Sequence, residues 1–360
     1  MIALPYQIMA AVLLDLLIGD PRWFPHPVRL IGRFAMVLER PARAIFRWPR
    51  LAGFLTALVV IAAAGFAAYG LIYLAGMWNP RAADVVSILL MYTCFAARDL
   101  AGHAAAVFRA LADDDLAEAR RRVGMMVGRD TQGLDKAGIT RATVESVAEN
   151  IVDGVTAPLL YAAVFGPVGA IVYKAINTLD STFGYKNSPY PEFGWASARI
   201  DDVANYLPAR LTAPLIAIAA FLLRQRPGGA VRILVRDRRK HDSPNAGYPE
   251  AAVAGALGVQ LGGTSSYFDG RVTVEKPRIG DPAAPLNRTH IRNANRLMYL
   301  TAALFLIACV AGRVAGERTW MWLAQSDAPI QDSHVKQNGE EGVPARPLAA
   351  SHPVHKGGAP

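Results

Sequence analysis

Cysteine is nearly absent from these 360 residues: Cys94 and Cys309 are the only two, and both lie in apolar stretches. A disulfide framework and a cysteine-based zinc site are thereby excluded, and the pair reads as small core residues. No GxxxxGK[ST] string occurs, so the chain has no P-loop. No segment repeats internally. The N-terminus lacks a basic n-region, carries Asp15 near the end of its apolar run and offers no small-residue cleavage site. It is therefore expected to stay in the mature protein rather than leave as a signal peptide.

What is present is an apolar chain with a strong minority of charge. Hydrophobic residues make up 52% and charged residues 19%, with a mean hydropathy of +0.22. That is too apolar for an ordinary soluble domain and too charged for a bare transporter bundle, so membrane helices joined by sizeable polar loops are expected. The net charge of +9 does not point to nucleic acid, because the arginines cluster beside apolar stretches rather than along an aromatic-studded groove. The positive-inside rule accounts for them.

Leu51 to Met77 is the clearest span, with no charged residue in a run long enough to cross about 30 Å of hydrocarbon. Ala83 to Ala97 and Leu297 to Gly312 are shorter candidates, and Ala3 to Ile18 reads as a tilted span or an interfacial helix. Between Gly32 and Leu51, five arginines (33, 40, 43, 47 and 50) face Glu39 alone, which places that loop in the cytoplasm and the turn at 79–81 outside. Parity returns Arg98 to Asp153, polar and helical in pattern, to the cytoplasm. Val155 to Lys174 has Phe165-Gly166-Pro167-Val168-Gly169 at its centre, which points to two half-helices rather than one span. Leu211 to Leu223 has only 13 residues, about 20 Å of helix at roughly 1.5 Å per residue. Two full crossings would put Asn177 to Arg210 outside. The break and the short run instead predict segments that dip into or lie along the bilayer, which keeps that stretch in the cytoplasm; under either topology the basic stretch Arg224 to Lys240 stays inside. From Gln325 onward Pro, Gly, His and Ser predominate. The expected organisation is one membrane domain over 1–324 and a disordered tail over 325–360. The fold class expected is all-α: a polytopic membrane protein with re-entrant or interfacial helices and polar cytoplasmic helical loops.

Chemistry-bearing residues gather in a few strings. RATVESVAENIVDG places Glu145, Glu149 and Asp153 at i, i+4 and i+8, hence on one helical face. Such a face suits Mg²⁺, which takes one or two carboxylates with substrate phosphates and water. The plainer reading is a solvated face on which Arg141 pairs with Glu145. NTLDSTFGYKN gathers Asn177, Asp180, Ser181, Thr182, Lys186 and Asn187 at a membrane boundary, where polar groups are costly without partners. A functional loop and a simple polar connection both remain open there. ARIDDVANYLPAR adds Asp201, Asp202, Asn205 and Arg210, which an acid-rich helix start would also explain. RDRRKHDSPNAGYPEAAVAGALGVQLGGTSSYFDG combines Arg236, Arg239 and Lys240, a turn holding Ser243 and Asn245, and a small-residue helix expected to end in Gly262-Gly263-Thr264. Turn amides and clustered cations hold phosphate, although cations alone also serve as topology anchors. In LDLLIGDPRWFPHPVRLIGR three prolines forbid a continuous helix, and His26 reads as a structural hydrogen-bonding residue rather than a ligand.

Taken together and in order, GDPRWFPHPVRLIGR, GRDTQGLD, ESVAENIVDGVTAPLLY, NTLDSTFGYKN and SPNAGYPEAAVAGALGVQLGG resemble the membrane-bound adenosylcobinamide-phosphate synthase family of cobalamin biosynthesis, from about Leu14 to Gly312. No single string is a mechanistic signature; their specificity lies in occurring in register. The resemblance implies a carbon–nitrogen ligase that joins adenosylcobyric acid, through a corrin-ring propionate carboxyl, to aminopropanol or its O-phosphate, with ATP activating the carboxylate. Such chemistry needs charge neutralisation and positioning more than a protein nucleophile. On residue chemistry within the matching segments, Mg²⁺ falls to Glu145, Glu149 and Asp153, and nucleotide and phosphate contacts to Lys186, Arg239, Lys240, Ser243 and Asn245. Asp180 or Asp201 would take a proton from the substrate ammonium. The resemblance further implies a multi-pass protein of the cell membrane with its site facing the cytoplasm. Its candidate partners are the lipid bilayer and other cobalamin-assembly enzymes, and not nucleic acid. Two other classes compete. A CDP-alcohol phosphotransferase or prenyltransferase would carry DxxDG or repeated DDxxD patterns, which are absent. A non-catalytic corrinoid transporter or binding subunit would show more spans, usually in paired halves, and fewer polar loops.

Overall fold

A computed structural model of the chain describes residues 2–21, 26–184, 190–268 and 270–326. The chain divides into a unit Met1–Gly316 and a unit Glu317–Pro360. The first unit opens with α1 (Leu4–Ile18), apolar and 15 residues long, and α2 (Pro27–Ile45). Pro27 pre-sets the first turn of α2, and His26 caps it by accepting from the Val28 amide at 3.3 Å. His26 also lies 3.6 Å from Asp20, so it has the structural role its proline-rich setting suggests.

The expected span at 51–77 is α3 (Pro49–Trp78), an apolar helix of 30 residues. Asn79 then caps α4 (Pro80–Tyr92), accepting from the Arg81 amide at 2.8 Å. The expected span at 83–97 falls within a stretch, 80–112, long and apolar enough to cross a membrane, but it is not one unbroken helix. The chain turns after Tyr92 and restarts as α5 (Ala97–Ala112), whose opening amides at Ala97 and Arg98 are capped at a distance by Asp15, at 3.0 and 3.4 Å. Capping from another helix satisfies donors that a helix start otherwise leaves open. Two polar helices follow, α6 (Leu116–Gly124) and α7 (Lys136–Ile151), with Asp115 and Asp135 as side-chain N-caps.

From α7 the chain runs through a π turn, Val152–Thr156, into α8 (Ala157–Phe183). Gly166 adopts φ +69°, open to glycine but not to side-chain-bearing residues, and Pro167 follows, so α8 is two helices across a kink, as the sequence implies. Next come α9 (Trp195–Ala204) and α10 (Tyr206–Leu222), bent by 48° to one another, then α11 (Pro227–Asp237) and α12 (Gly247–Leu257). The small-residue helix stops earlier than expected. Gly258, left-handed at φ +68°, caps α12. The residues beyond it form a hairpin of β1 (Leu261–Tyr267) and β2 (Val272–Ile279), with an irregularity between Leu261 and Gly263. Gly262 and Gly263 thus lie in a strand rather than at a helix end, with φ of +81° and +82°. The last helix is α13 (Thr289–Ser326).

Among the described residues, four helical stretches are long and apolar enough to cross a membrane, at 49–78, 80–112, 136–183 and 289–316, or five if the bent pair α9–α10 is one span. The protein is therefore a polytopic helical membrane protein, with one small hairpin among its described elements. Val107, Ile139, Val147, Ile216, Ile233 and Leu261 belong to one fully buried core that ties the polar helices α5 to α7 to α10, α11, α12 and β1. α11 and α12 approach so closely that a Cβ on Gly255 would stand 2.3 Å from the Gly229 carbonyl oxygen. A second core joins α1, α4, α8 and α13 through Ile8, Met91, Leu159 and Phe305. A third packs α2 and α3 on the end of α8 through Ala35, Val60, Leu179 and Phe183. A fourth core, with Val152, Tyr173 and Ala204, joins the π turn, α8 and α9, and residues of α8, α9, α12 and the hairpin meet around one cavity.

Candidate functional site

Two cavities open there, of about 630 and 740 Å³, and they share Glu149, His241, Asp242, Tyr267, Phe268 and Lys276 in their walls. They are adjoining chambers with Glu149 on the boundary. The larger one has an acidic wall drawn from four elements: Glu149 from α7, Asp153 from the π turn, Asp180 from α8, and Asp201 and Asp202 from α9. The π turn spaces its residues more widely than an α turn, and it places Asp153 in this chamber without Glu145.

Asp201 is oriented by a buried relay in which the Tyr173 hydroxyl donates to Asn205 Oδ1 at 2.8 Å and Asn205 Nδ2 donates to Asp201 Oδ2 at 3.0 Å. The Asn177 side chain also lies against this carboxylate, yet Oδ1 is buried without a well-formed hydrogen bond among the described residues, which is costly unless something else satisfies it. Asp202 is 3.3 Å from Arg199, also in the chamber wall. Among the described residues, no three His, Cys, Asp or Glu side chains are close enough to cage a metal by themselves. An all-oxygen wall with one open carboxylate oxygen fits Mg²⁺, which completes its shell with phosphate and water.

Glu145 is placed differently. It is 8% exposed, pairs with Arg129 Nη2, and accepts from the Gly262 amide at 2.7 Å. Arg129 also donates to Ser265 Oγ at 2.8 Å. The solvated-face reading therefore fails, and so does its Arg141 partner, since Arg141 donates to the Thr264 carbonyl at 3.2 Å instead. Glu145 lies in the wall of the smaller chamber beside Arg129 and Glu149. Lys240 pairs with the buried Asp237 at 2.8 Å, which also accepts from Arg236 and from the Gly280 amide. Burial alone would raise the Asp237 carboxyl, but these donors outweigh it and hold it well below the usual carboxylate range. Lys240 thus fastens the end of the hairpin to α11. Neither it nor the exposed Arg239 lines either chamber.

Ser243 and Asn245 do line the larger chamber. Asn245 is engaged at both ends of its amide, donating to the Asp202 carbonyl at 2.7 Å and accepting from Arg210 at 3.0 Å, while Ser243 Oγ accepts from the Asn245 and Ala246 amides at 3.3 Å. Lys186 and Asn187 lie outside the described residues. Among the described residues, the cations that line the chambers are Arg129, Lys276 and Arg199. Sequence reasoning gave none of them a role, though Arg129 lies in GRDTQGLD and Lys276 in the alternating string RVTVEKPRI.

His241 stands between the chambers. Its Nδ1 accepts from the Ser243 amide at 2.9 Å, which puts the ring proton on Nε2, 3.6 Å from Glu250 Oε1. Burial pushes the imidazole below its ordinary value, and burial together with nearby Glu145 and Glu149 pushes the Glu250 carboxyl well above its own. Burial therefore favours a neutral imidazole facing a protonated carboxyl over their charged forms. Because the folded pKa of Glu250 lies above the unfolded value of 4.5, its contribution to stability is complete below that value and is lost as pH rises toward the folded pKa. Glu250→Gln, which mimics the protonated acid, should match wild type in detergent unfolding temperature at about pH 4 and become the more stable of the two as pH rises. An identical pH dependence in the two proteins would mean that Glu250 is ionised.

The fold and the site together define a class: a polytopic helical membrane protein whose polar helices and one hairpin enclose a carboxylate-walled double chamber. The chain belongs to the CobD/CbiB family. The model described as "CobD/Cbib protein" matches residues 8–298. A "Cobalamin biosynthesis protein CobD" of Geobacter metallireducens is 51% identical over 300 residues, covering 83% of this chain and 94% of that relative. One of the same description from Klebsiella pneumoniae is 45% identical over 314 residues, covering 86% and 96%. A "Cobalamin biosynthesis protein CbiB" of Salmonella choleraesuis is 45% identical over 306 residues, covering 84% and 95%. No solved structure matches this chain significantly.

Proposed function

We propose that the protein catalyses the ATP-dependent joining of a corrin-ring propionate of adenosylcobyric acid to aminopropanol or aminopropanol phosphate. Membership of a family of cobalamin biosynthesis proteins supports the pathway. The observation that carries the reaction type is the pair of chambers meeting at Glu149, one acid-walled and the other holding Arg129, with Lys276 in both. In the reaction a substrate carboxylate oxygen takes the γ-phosphoryl group and ADP leaves. The amine nitrogen then bonds to the acyl carbon, the acyl C–O bond breaks, phosphate departs and the ammonium proton passes to a base. Bound Mg²⁺ would neutralise phosphate charge.

Glu149, Asp153 and Asp180, with the open oxygen of Asp201, would hold that ion, while Lys276 and Arg199 would face the phosphates. Asp201, oriented by Asn205, or Asp180 would accept the ammonium proton. Glu145, occupied by Arg129 and the Gly262 amide, positions the wall rather than binding the ion. Protein purified in detergent and given cobyric acid, ATP, Mg²⁺ and either amine should yield a corrinoid heavier by that amine less water, with ADP and phosphate formed in step. An unchanged corrinoid with both amines would overturn the reaction. Rescue of corrinoid uptake without product would support a transporter.

The orientation follows from the substrate, since ATP is cytosolic and Asp180 and Asp201 must meet it. In a variant lacking Cys94 and Cys309, Ser188→Cys should resist a membrane-impermeant thiol reagent in intact cells and react once the cells are opened. Labelling in intact cells would place 177–210 outside and remove Asp180 and Asp201 from an ATP site.

A further inference from the structure

One face of the hairpin is apolar and, among the described residues, lies uncovered. Along β2, Val272, Val274 and Lys276 line the larger chamber, whereas the intervening Thr273 and Glu275 are absent from its wall, as period-two alternation requires. Glu275 instead accepts from Thr264 at 2.7 Å on the other face. Tyr267 pairs with Val272 in register and also lines the chamber, as does Phe268 beyond the strand end. Phe268, Val272 and Val274 are 54%, 44% and 39% exposed, and none of them belongs to a buried core among the described residues.

The face is not needed to hold the hairpin in place. Arg129 on Ser265, Glu145 on the Gly262 amide and Asp130 on the Gly270 amide at 2.8 Å already brace it. Phe268 also takes a left-handed φ of +58°, where a turn alone would favour glycine or asparagine over a bulky ring.

We infer that Tyr267, Phe268, Val272 and Val274 seat the broad apolar face of the corrin ring at the mouth of the larger chamber, so that one propionate reaches inward past Lys276 to Glu149. The inference rests on the proposed reaction. A macrocycle cannot share about 740 Å³ with a nucleotide and an amine, so the ring must lie at the mouth and send in only a side chain. Lys276, on the same face of β2, supplies the charge a propionate would meet on entry.

The test uses the full-length protein in detergent with cobyric acid and no ATP, read by equilibrium dialysis. Phe268→Ala and Val274→Thr, the second nearly isosteric, should each weaken binding about tenfold, while Phe268→Trp stays within about twofold of wild type. The KM for ATP should not move in any of them, and Thr273→Val on the opposite face should change neither quantity. Wild-type affinity for cobyric acid in both Phe268→Ala and Val274→Thr would overturn the inference while leaving the reaction standing. A raised KM for ATP in those variants would assign the face to adenine and overturn it too. Failure of the unaltered protein to bind cobyric acid would remove the proposed reaction itself.

Discussion

Glu149→Gln should lower amide formation by at least about a hundredfold while leaving insertion and unfolding temperature unchanged. The residue is exposed to the cavities rather than packed, so the substitution empties no core and orphans no buried partner. It removes a charge at the boundary of the two chambers, where the acidic wall meets His241 and Lys276. Loss should appear in kcat and in a raised Mg²⁺ requirement, with cobyric acid binding little altered. A wild-type rate with normal Mg²⁺ dependence would remove Glu149 from the metal-holding set.

Glu145→Ala should show the opposite pattern, with stability failing before chemistry. Its carboxylate is buried between Arg129 and the Gly262 amide. Truncation leaves an uncompensated buried guanidinium, which typically costs about 3–5 kcal/mol. The hairpin root should loosen, so limited proteolysis near the exposed Arg271 should accelerate and the unfolding temperature in detergent should fall. The double variant Arg129→Met/Glu145→Leu replaces the pair with apolar bulk and should recover much of the lost stability. Unchanged unfolding in Glu145→Ala would show that the buried pair contributes nothing to the fold.

The contrast between these neighbours on one helix also marks what sequence can reveal. Helical spacing puts Glu145 and Glu149 on a common face, and that reading of α7 holds. Spacing cannot reveal that Arg129, 16 residues earlier, and a strand more than a hundred residues later converge on Glu145. The spans at 49–78 and 289–316 and the break at Gly166 were legible because bilayer thickness and the Gly-Pro pair act locally. The hairpin was hidden by the small-residue run preceding it, which favours continuing a helix until Gly258 turns left-handed. Its alternating valines in RVTVEKPRI were the available signal. Asp153 was read on one helical face with Glu145 and Glu149, Asp180 at a membrane boundary and Asp201 in an acid-rich helix start. Their convergence depends on the kinked course of α8 and on α9 folding back beside it, which no local pattern encodes.

The π turn at Val152–Thr156 makes this convergence depend on residue count as well as residue type. A point substitution there changes one side chain, but closing the turn to ordinary α pairing with all its residues kept would rotate everything beyond it by about 100°. Asp180 would swing away from Glu149 although neither acid had been altered, and the chambers would lose their common wall. Replacements in these five residues that favour plain α pairing should therefore disturb the site more than those that leave the wide turn intact, as with a key whose cuts are intact but whose shank has been twisted.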